Sequence, residues 1–481
     1  MKLLRAVCRF AAVLLPAAAF PAEAFSQTAP DAADMRLVGW NGLQARSAYQ
    51  PTIHQQNGRW IAYIGHHGGT KAAPKPLNPL TGLPEFNGTS ILDVTDPAHP
   101  KYLFHIPGEE GLDESGGAQM VRVCDGRTLP KGDPAKTYML RTMGNSAHEL
   151  WDVTTPERPT LLTVVAKDLM GTHKNWWECD TGIAYLVSGL HDWRVHRMTQ
   201  IFDLSDPAHP VFVRNFGLAG QQPGAAAEPV PTMLHGPIST GPRRNRIYFG
   251  YGTNSGGILQ IVDRDKLLNG PKEPTPENLL APQVGRLDLS PLVGAHTAFP
   301  MLGVEIPEFA HDGAGRVRDF VVITDEAIAN ECREARQMVW FVDVTVEAKP
   351  FPVANYTARE EDGDYCKRGG RFGTHSSNEN MTPIYYKRLM FFAHFNAGVR
   401  AVDVRDPFRP VEVAHYVPAV TAATVPRCVT DDGVEHCKTA IQTNNVEVDD
   451  RGYIYIVDRA NTGLHILELT GAARKIANLP D

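Results

Sequence analysis

The residues best suited to chemistry are four histidines that return in one local setting. Gly171-Thr-His173-Lys-Asn-Trp-Trp-Glu-Cys-Asp180 is followed downstream by Met-Leu-His235-Gly, Gly-Ala-His296-Thr and Gly-Thr-His375-Ser. Each copy comes shortly after one strand-like segment ends and before the next apolar run begins. Gln50, Gln119 and Thr443-Asn444 fall near the corresponding point of three further repeats. If successive repeats closed into a ring, side chains at one repeat position would converge on its axis. A second tier follows the next strand of each repeat and includes His66-His67, Gly189-Leu-His191, Asp325-Glu326 and His394-Phe-Asn396. Imidazole is a borderline donor suited to Zn, Cu, Fe or Ni, whereas Ca and Mg sites need mostly oxygen. The expected metal ligands are His173, His235, His296 and His375, with His66 and His394 from the second tier. Glu326, Asp325 and His191 are the candidates for proton transfer beside the ion. A lone histidine at a strand start more often bonds local backbone. The varied neighbours of these four argue against one repeated structural device.

Internal repeats must position these residues. One motif recurs, a β-rich run ending in an acidic residue, usually before a Pro-containing turn. Copies are Ser90-Ile-Leu-Asp93-Val-Thr-Asp-Pro97, Leu150-Trp-Asp152-Val-Thr-Thr-Pro156, Gln200-Ile-Phe-Asp203-Leu-Ser-Asp-Pro207 and Val402-Asp403-Val-Arg-Asp-Pro407. Looser ones end at Asp263, Asp343 and Glu468. In the tighter copies the Asp can bond the turn backbone while Pro pre-sets φ and ends strand pairing. Upstream of each copy lies another strand pair, as at Ile183 to Val187 and Tyr453 to Val457. Each repeat is therefore expected to be four strands. The last ends near Thr470 one strand short, and Met35 to Trp40 can supply it. The prediction is all-β, a seven-bladed β-propeller of four-stranded blades, its ring closed by an N-terminal strand. The blades run approximately over 48–108, 116–168, 172–218, 234–290, 295–357, 374–418 and 441–470, with closing strand 35–41. Insertions at Gly68 to Phe86, Ala219 to Pro231, Gly270 to Gln283 and Ala358 to Arg371 read as surface loops or partial lids.

These strand-three segments resemble the LVIVD-repeat propellers, and the likeness covers most of the chain after its first residues. It implies the fold and says little of activity, because propellers host unrelated functions. The histidine placement is similar, in architecture only, to secreted propellers of the selenium-binding/methanethiol-oxidase and copper-dehydrogenase kinds.

The 481 residues are 43% apolar and 21% charged with net charge −7, and no basic stripe suggests nucleic acid. Met1-Lys2-Leu-Leu-Arg5 precedes an apolar run from Phe10 to Phe20 and the small-x-small site Ala22-Glu-Ala24. This reads as a secretory signal, residues 1–24, leaving 25–481 as one propeller domain in the periplasm or outside the cell. Its removal takes Lys2, Arg5 and Arg9 against Glu23, moving the charge from −7 to −9. No other run is long and apolar enough to span a bilayer. Six cysteines remain, an even count that reads as disulfides in an oxidising compartment. Cys428 and Cys437 close a short loop. Cys124 and Cys179 occupy the same place in adjacent repeats, which leaves Cys332 and Cys366 for each other.

Three functions compete on this reading. One is a metal-dependent oxidoreductase acting on a small-molecule substrate, with copper or zinc as the ion. Another is a metal-dependent hydrolase or lyase acting on a polysaccharide or ester. The third is a non-catalytic binding propeller with structural histidines. The excess of imidazole over carboxylate ranks redox chemistry first. No phosphate-cradling Gly loop, His-Glu-x-x-His, Gly-x-Ser-x-Gly or Cys-x-x-Cys-His motif is present. Substrate identity, electron acceptor and oligomeric state are left open.

Overall fold

The repeated aspartates build a repeated turn. In the computed structural model, which describes residues 29–313, 315–477 and 479, the backbone N–H two residues on donates to the carboxylates of Asp93, Asp152, Asp203, Asp343 and Asp403. The acidic residue of the Asp-Pro pair repeats the device, with Asp96, Asp206 and Asp406 accepting from the N–H of Ala98, Ala208 and Phe408. Two successive Asx turns thus reverse the chain between third and fourth strands. Just before the first aspartate the pairing slips by one residue, at Ile91/Leu92, Leu150/Trp151, Ile201/Phe202, Ile261/Val262, Phe341/Val342 and Ala401/Val402. A bulge there adds twist and bends the outer strand.

The protein is all-β, built from antiparallel sheets. The first sheet holds Ala48–Gln56, Arg59–His67, Gly88–Asp93 and Lys101–Pro107. The second holds Val121–Asp125, Thr137–Met143, Ala147–Asp152 and Thr160–Ala166. In the third the innermost strand is broken into Gly171–Thr172 and Trp176–Trp177, which pair with Ile183–Gly189, followed by Met198–Asp203 and Val211–Phe216. The fourth runs Leu234–Ser239, Arg246–Tyr251, Ile258–Asp263, Gln283–Asp288, and the fifth Thr297–Glu305, Val317–Thr324, Val339–Asp343, Phe351–Tyr356. Phe372–Ser377, Leu389–Phe395, Val399–Asp403 and Val411–Val417 form a sixth group. Thr443–Val448, Ile454–Asp458 and Leu464–Leu469 form a seventh, which Met35–Asn41 completes by pairing with Leu464–Leu469. A single pairing, Phe395 with Thr443, fuses groups six and seven into one sheet, which Asp31–Ala33 extends.

The apolar core lies between these groups. One cluster packs Ile61 and Tyr63 of the first against Val121 and Met139 of the second, and another packs Leu140 and Leu150 of the second against Ala184 and Leu186 of the third. Similar clusters join third to fourth, fourth to fifth, fifth to sixth and sixth to seventh. A last one sets Tyr455, Val457 and Ile466 of the seventh against Ala62, Ile64 and Leu92 of the first. Succession in space therefore returns to its start.

Disulfides join Cys124–Cys179, Cys332–Cys366 and Cys428–Cys437, the three pairs expected. Among the described residues no helix is long and apolar enough to cross a membrane. The expected signal, residues 1–24, lies outside the described residues.

Candidate metal centre

Irregularity in the first strand of each group is what aims the functional side chains. His235 sits at a register slip between Leu234 and Gly236, and His375 within one between Phe372 and Ser376. His173 follows Gly171–Thr172 in the break before Trp176–Trp177, and His296 immediately precedes Thr297–Glu305. Tyr49 occupies the equivalent slip in the first group, between Ala48 and Pro51. A bulge re-aims one side chain at a time, so each group can direct a ring inward without breaking its sheet.

All four rings meet. Centroids of His173 and His235 are 4.2 Å apart, those of His235 and His296 3.7 Å, and those of His296 and His375 4.3 Å. Their Nε2 atoms converge, with 2.8 Å between those of His173 and His235. The Tyr49 hydroxyl lies 3.1 Å from Nε2 of His173 and 3.5 Å from that of His296. The Glu326 carboxylate faces Nε2 of His375, His235 and His296 at 3.5, 3.7 and 3.9 Å. Two ligand triads share His296: His173, His235 and His296 form one, and His296, Glu326 and His375 the other.

Outer contacts favour nitrogen donation toward the centre. His375 Nδ1 donates to the Asn444 carbonyl at 2.5 Å, which fixes the tautomer and turns the Nε2 lone pair inward. His296 Nδ1 bonds Thr297 Oγ1 at 2.9 Å, and the same hydroxyl accepts from Lys174 Nζ at 3.0 Å. Behind it, Lys174 pairs with Glu379 Oε1 at 2.5 Å, and Glu379 also pairs with Arg122. His173 and His235 have no hydrogen-bond partner at Nδ1 among the described residues.

Electrostatics point the same way. Burial holds all four imidazoles well below their usual range. The Arg197 guanidinium adds to this at His173, the His173 ring at His235, the neighbouring rings at His296, and Arg459 at His375. Neutral imidazole is the form that binds a metal. Burial also lifts the Tyr49 phenol well above its usual value, helped by Glu326 and Glu114, so it stays protonated. The Glu326 carboxyl is pushed up to about 7 by burial, against the pull of Arg371, which donates to its Oε1 at 3.1 Å.

A cavity of about 230 Å³ opens beside the rings, lined by Tyr49, His173 and His235 with Glu114, Glu326, Arg197 and Arg371. Its flank is braced by covalent staples. Cys332–Cys366 ties the loop after Glu326 to the Ala358 to Arg371 insertion. The Cys428–Cys437 hairpin contacts that loop through Asn330 and Arg333.

The remaining candidate residues go elsewhere. Side chains alternate across a strand, and three of the misplacements are errors of parity. His66 turns away from the rings and bonds the Ser47 carbonyl and the Ser90 hydroxyl, and it is His67 that faces Tyr49, at 5.0 Å between centroids, and Glu114 at 3.2 Å. His394 accepts from Ala358 N–H and packs on Tyr356, while its neighbour Phe395 lies against His375. Asp325 points away from Glu326 to bond Met338 N–H and the Trp340 indole, and burial pushes its carboxyl up to about 8. His191 is exposed on a loop and joins nothing at the centre. His67 and Arg459 belong to the second tier read from the sequence, whereas Tyr49, Glu114, Arg197 and Arg371 were not anticipated. Tyr49 adjoins Gln50, the residue taken for its repeat position. Gln50 instead accepts from Asn445.

No family model matches the chain, and no curated protein matches it.

Proposed function

We propose that the seven groups are the blades of a β-propeller, closed by Met35–Asn41, and that its axis holds one transition-metal ion on His173, His235, His296 and His375. The propeller reading, and with it the likeness to LVIVD-repeat proteins, is supported by the seven inter-sheet clusters whose order is cyclic. The protein is read as an exported, periplasmic or extracellular enzyme, in keeping with three disulfides.

One observation carries the metal assignment, namely four buried imidazoles from four consecutive groups, packed ring against ring and forming two ligand triads that share His296. The donor set fits a borderline ion such as copper, iron or zinc. Imidazole outnumbers carboxylate in the two ligand triads, and that balance ranks a redox ion such as copper or iron first. We therefore read the protein as a metal-dependent oxidoreductase acting on a small substrate. A bound redox ion would supply electron transfer and polarise substrate next to it.

The chain's own residues do the rest. Glu326, oriented by Arg371, is placed to accept or return a proton on the cavity side of the rings. Tyr49 keeps its proton and can donate a hydrogen bond to a ligand lying over His173 and His296.

Elemental analysis of the purified full-length protein tests the reading. About one equivalent of copper or iron should be present or taken up. His173→Ala, His235→Ala, His296→Ala and His375→Ala should each lower metal content at least tenfold. Full occupancy in all four variants, or no stoichiometric uptake by wild type, would overturn it.

A further inference from the structure

Charge around the cavity is unequal. Glu114 accepts from Arg459 at 2.9 Å and Glu326 from Arg371 at 3.1 Å, so these two carboxylates are matched by two guanidiniums. Arg459 Nη1, in a side chain only 6% exposed, has no hydrogen bond and lies 4.0 Å from Glu326. The third guanidinium, Arg197, lines the same cavity and has no hydrogen bond or ion pair among the described residues. An arginine that lines a partly enclosed cavity, feels Glu326 only at a distance and has no hydrogen-bonded carboxylate of its own is a ready anion site, because the planar fork matches a carboxylate in shape and charge. The same cavity is also lined by Ile328 and Tyr49. The volume of about 230 Å³ is below the roughly 300–1,000 Å³ of sites for drug-sized ligands.

We propose that the cavity selects a small organic carboxylate, its charged end held by Arg197 with Arg371 beside it and its body against Tyr49 and Ile328. This deepens the enzyme reading above by naming a substrate class, and it rests on that reading for the relevance of the four histidines. The charge argument stands without the ion. Arg197 recognises and positions in this scheme, and the reacting groups are others.

Calorimetric titration with benzoate and with benzamide, of equal size and shape, separates charge from packing. It should be run at low chloride on zinc-loaded and on zinc-free protein. Wild type should bind benzoate at least tenfold more tightly than benzamide in both states. Arg197→Met should abolish that preference without lowering benzamide affinity, and Arg197→Lys should restore part of it. Equal binding of the two probes by wild type, or a preference surviving in Arg197→Met, would overturn the proposal. Should Arg197→Met fail to fold, the wild-type comparison still decides. If neither copper, iron nor zinc binds but benzoate is preferred, the metal reading falls and the carboxylate site stands. If zinc binds to the four histidines and the probes bind alike, the reverse holds.

Discussion

Parity along the strand decides which side chains reach the cluster of four histidines. Residues 66 and 67 are both histidines, and so the sequence could name the pair but not the member that turns inward. His66→Ala, His394→Ala and His191→Ala should therefore leave metal content at the wild-type level. The first two should lower stability by about 1–3 kcal/mol through lost buried hydrogen bonds, read by urea unfolding. A second residue-scale prediction concerns Glu379, buried between Lys174 and Arg122. Burial alone would raise its carboxyl, but Lys174 and then Arg122 outweigh that and hold it down at about 2. Its folded value is depressed, so the stability it adds is present above the unfolded value near 4 and is lost as pH falls toward 2. Glu379→Gln, which strands two cations, should cost about 3–5 kcal/mol at pH 7. The gap from wild type should narrow as unfolding is measured at progressively lower pH.

At the scale of elements, the Asx turns and inner-strand bulges carry the design. The acidic residue and its proline were legible because turn chemistry has a fixed spacing, and the four-stranded repeat followed from it. The bulges were not legible. A one-residue slip leaves no composition signal, yet it moved Tyr49 into the place assigned to Gln50. The disulfides were readable because repeat position and loop length constrained them. Arg197 and Arg371 were not, since neither falls at a position that the repeat picks out. Asp152→Ala and Asp203→Ala should each destabilise by about 1 kcal/mol, the net value of a typical hydrogen bond, and by similar amounts if the turns are equivalent. Gly65→Ala should be worse. Its Cβ would stand 1.9 Å from the Gln119 carbonyl, in the strand that carries His67. A loss of about 1–3 kcal/mol is expected from such overpacking, again by urea unfolding, with a measurable drop in metal affinity.

Over the whole molecule, stability is distributed between neighbours. Each group is held by two apolar clusters, one on either side. The N-terminal donor strand was legible in the sequence, and the pairing of Met35–Asn41 with Leu464–Leu469 is the one anticipated. Deleting residues 29–41 should strip the outer edge of the seventh group. Hydrogen exchange should then accelerate in Thr443–Val448 and Ile454–Asp458 before it does in the third group, and size-exclusion chromatography should show association through the bared edge.

That partnership between the two ends of the chain also sets a timetable. Met35–Asn41 is made more than four hundred residues ahead of Leu464–Leu469 and has to wait, unpaired, until that mate arrives. A nascent chain stalled anywhere before Leu464 would present two sticky margins at once, and a helper that shields the waiting strand would raise the yield more than one that speeds any single sheet.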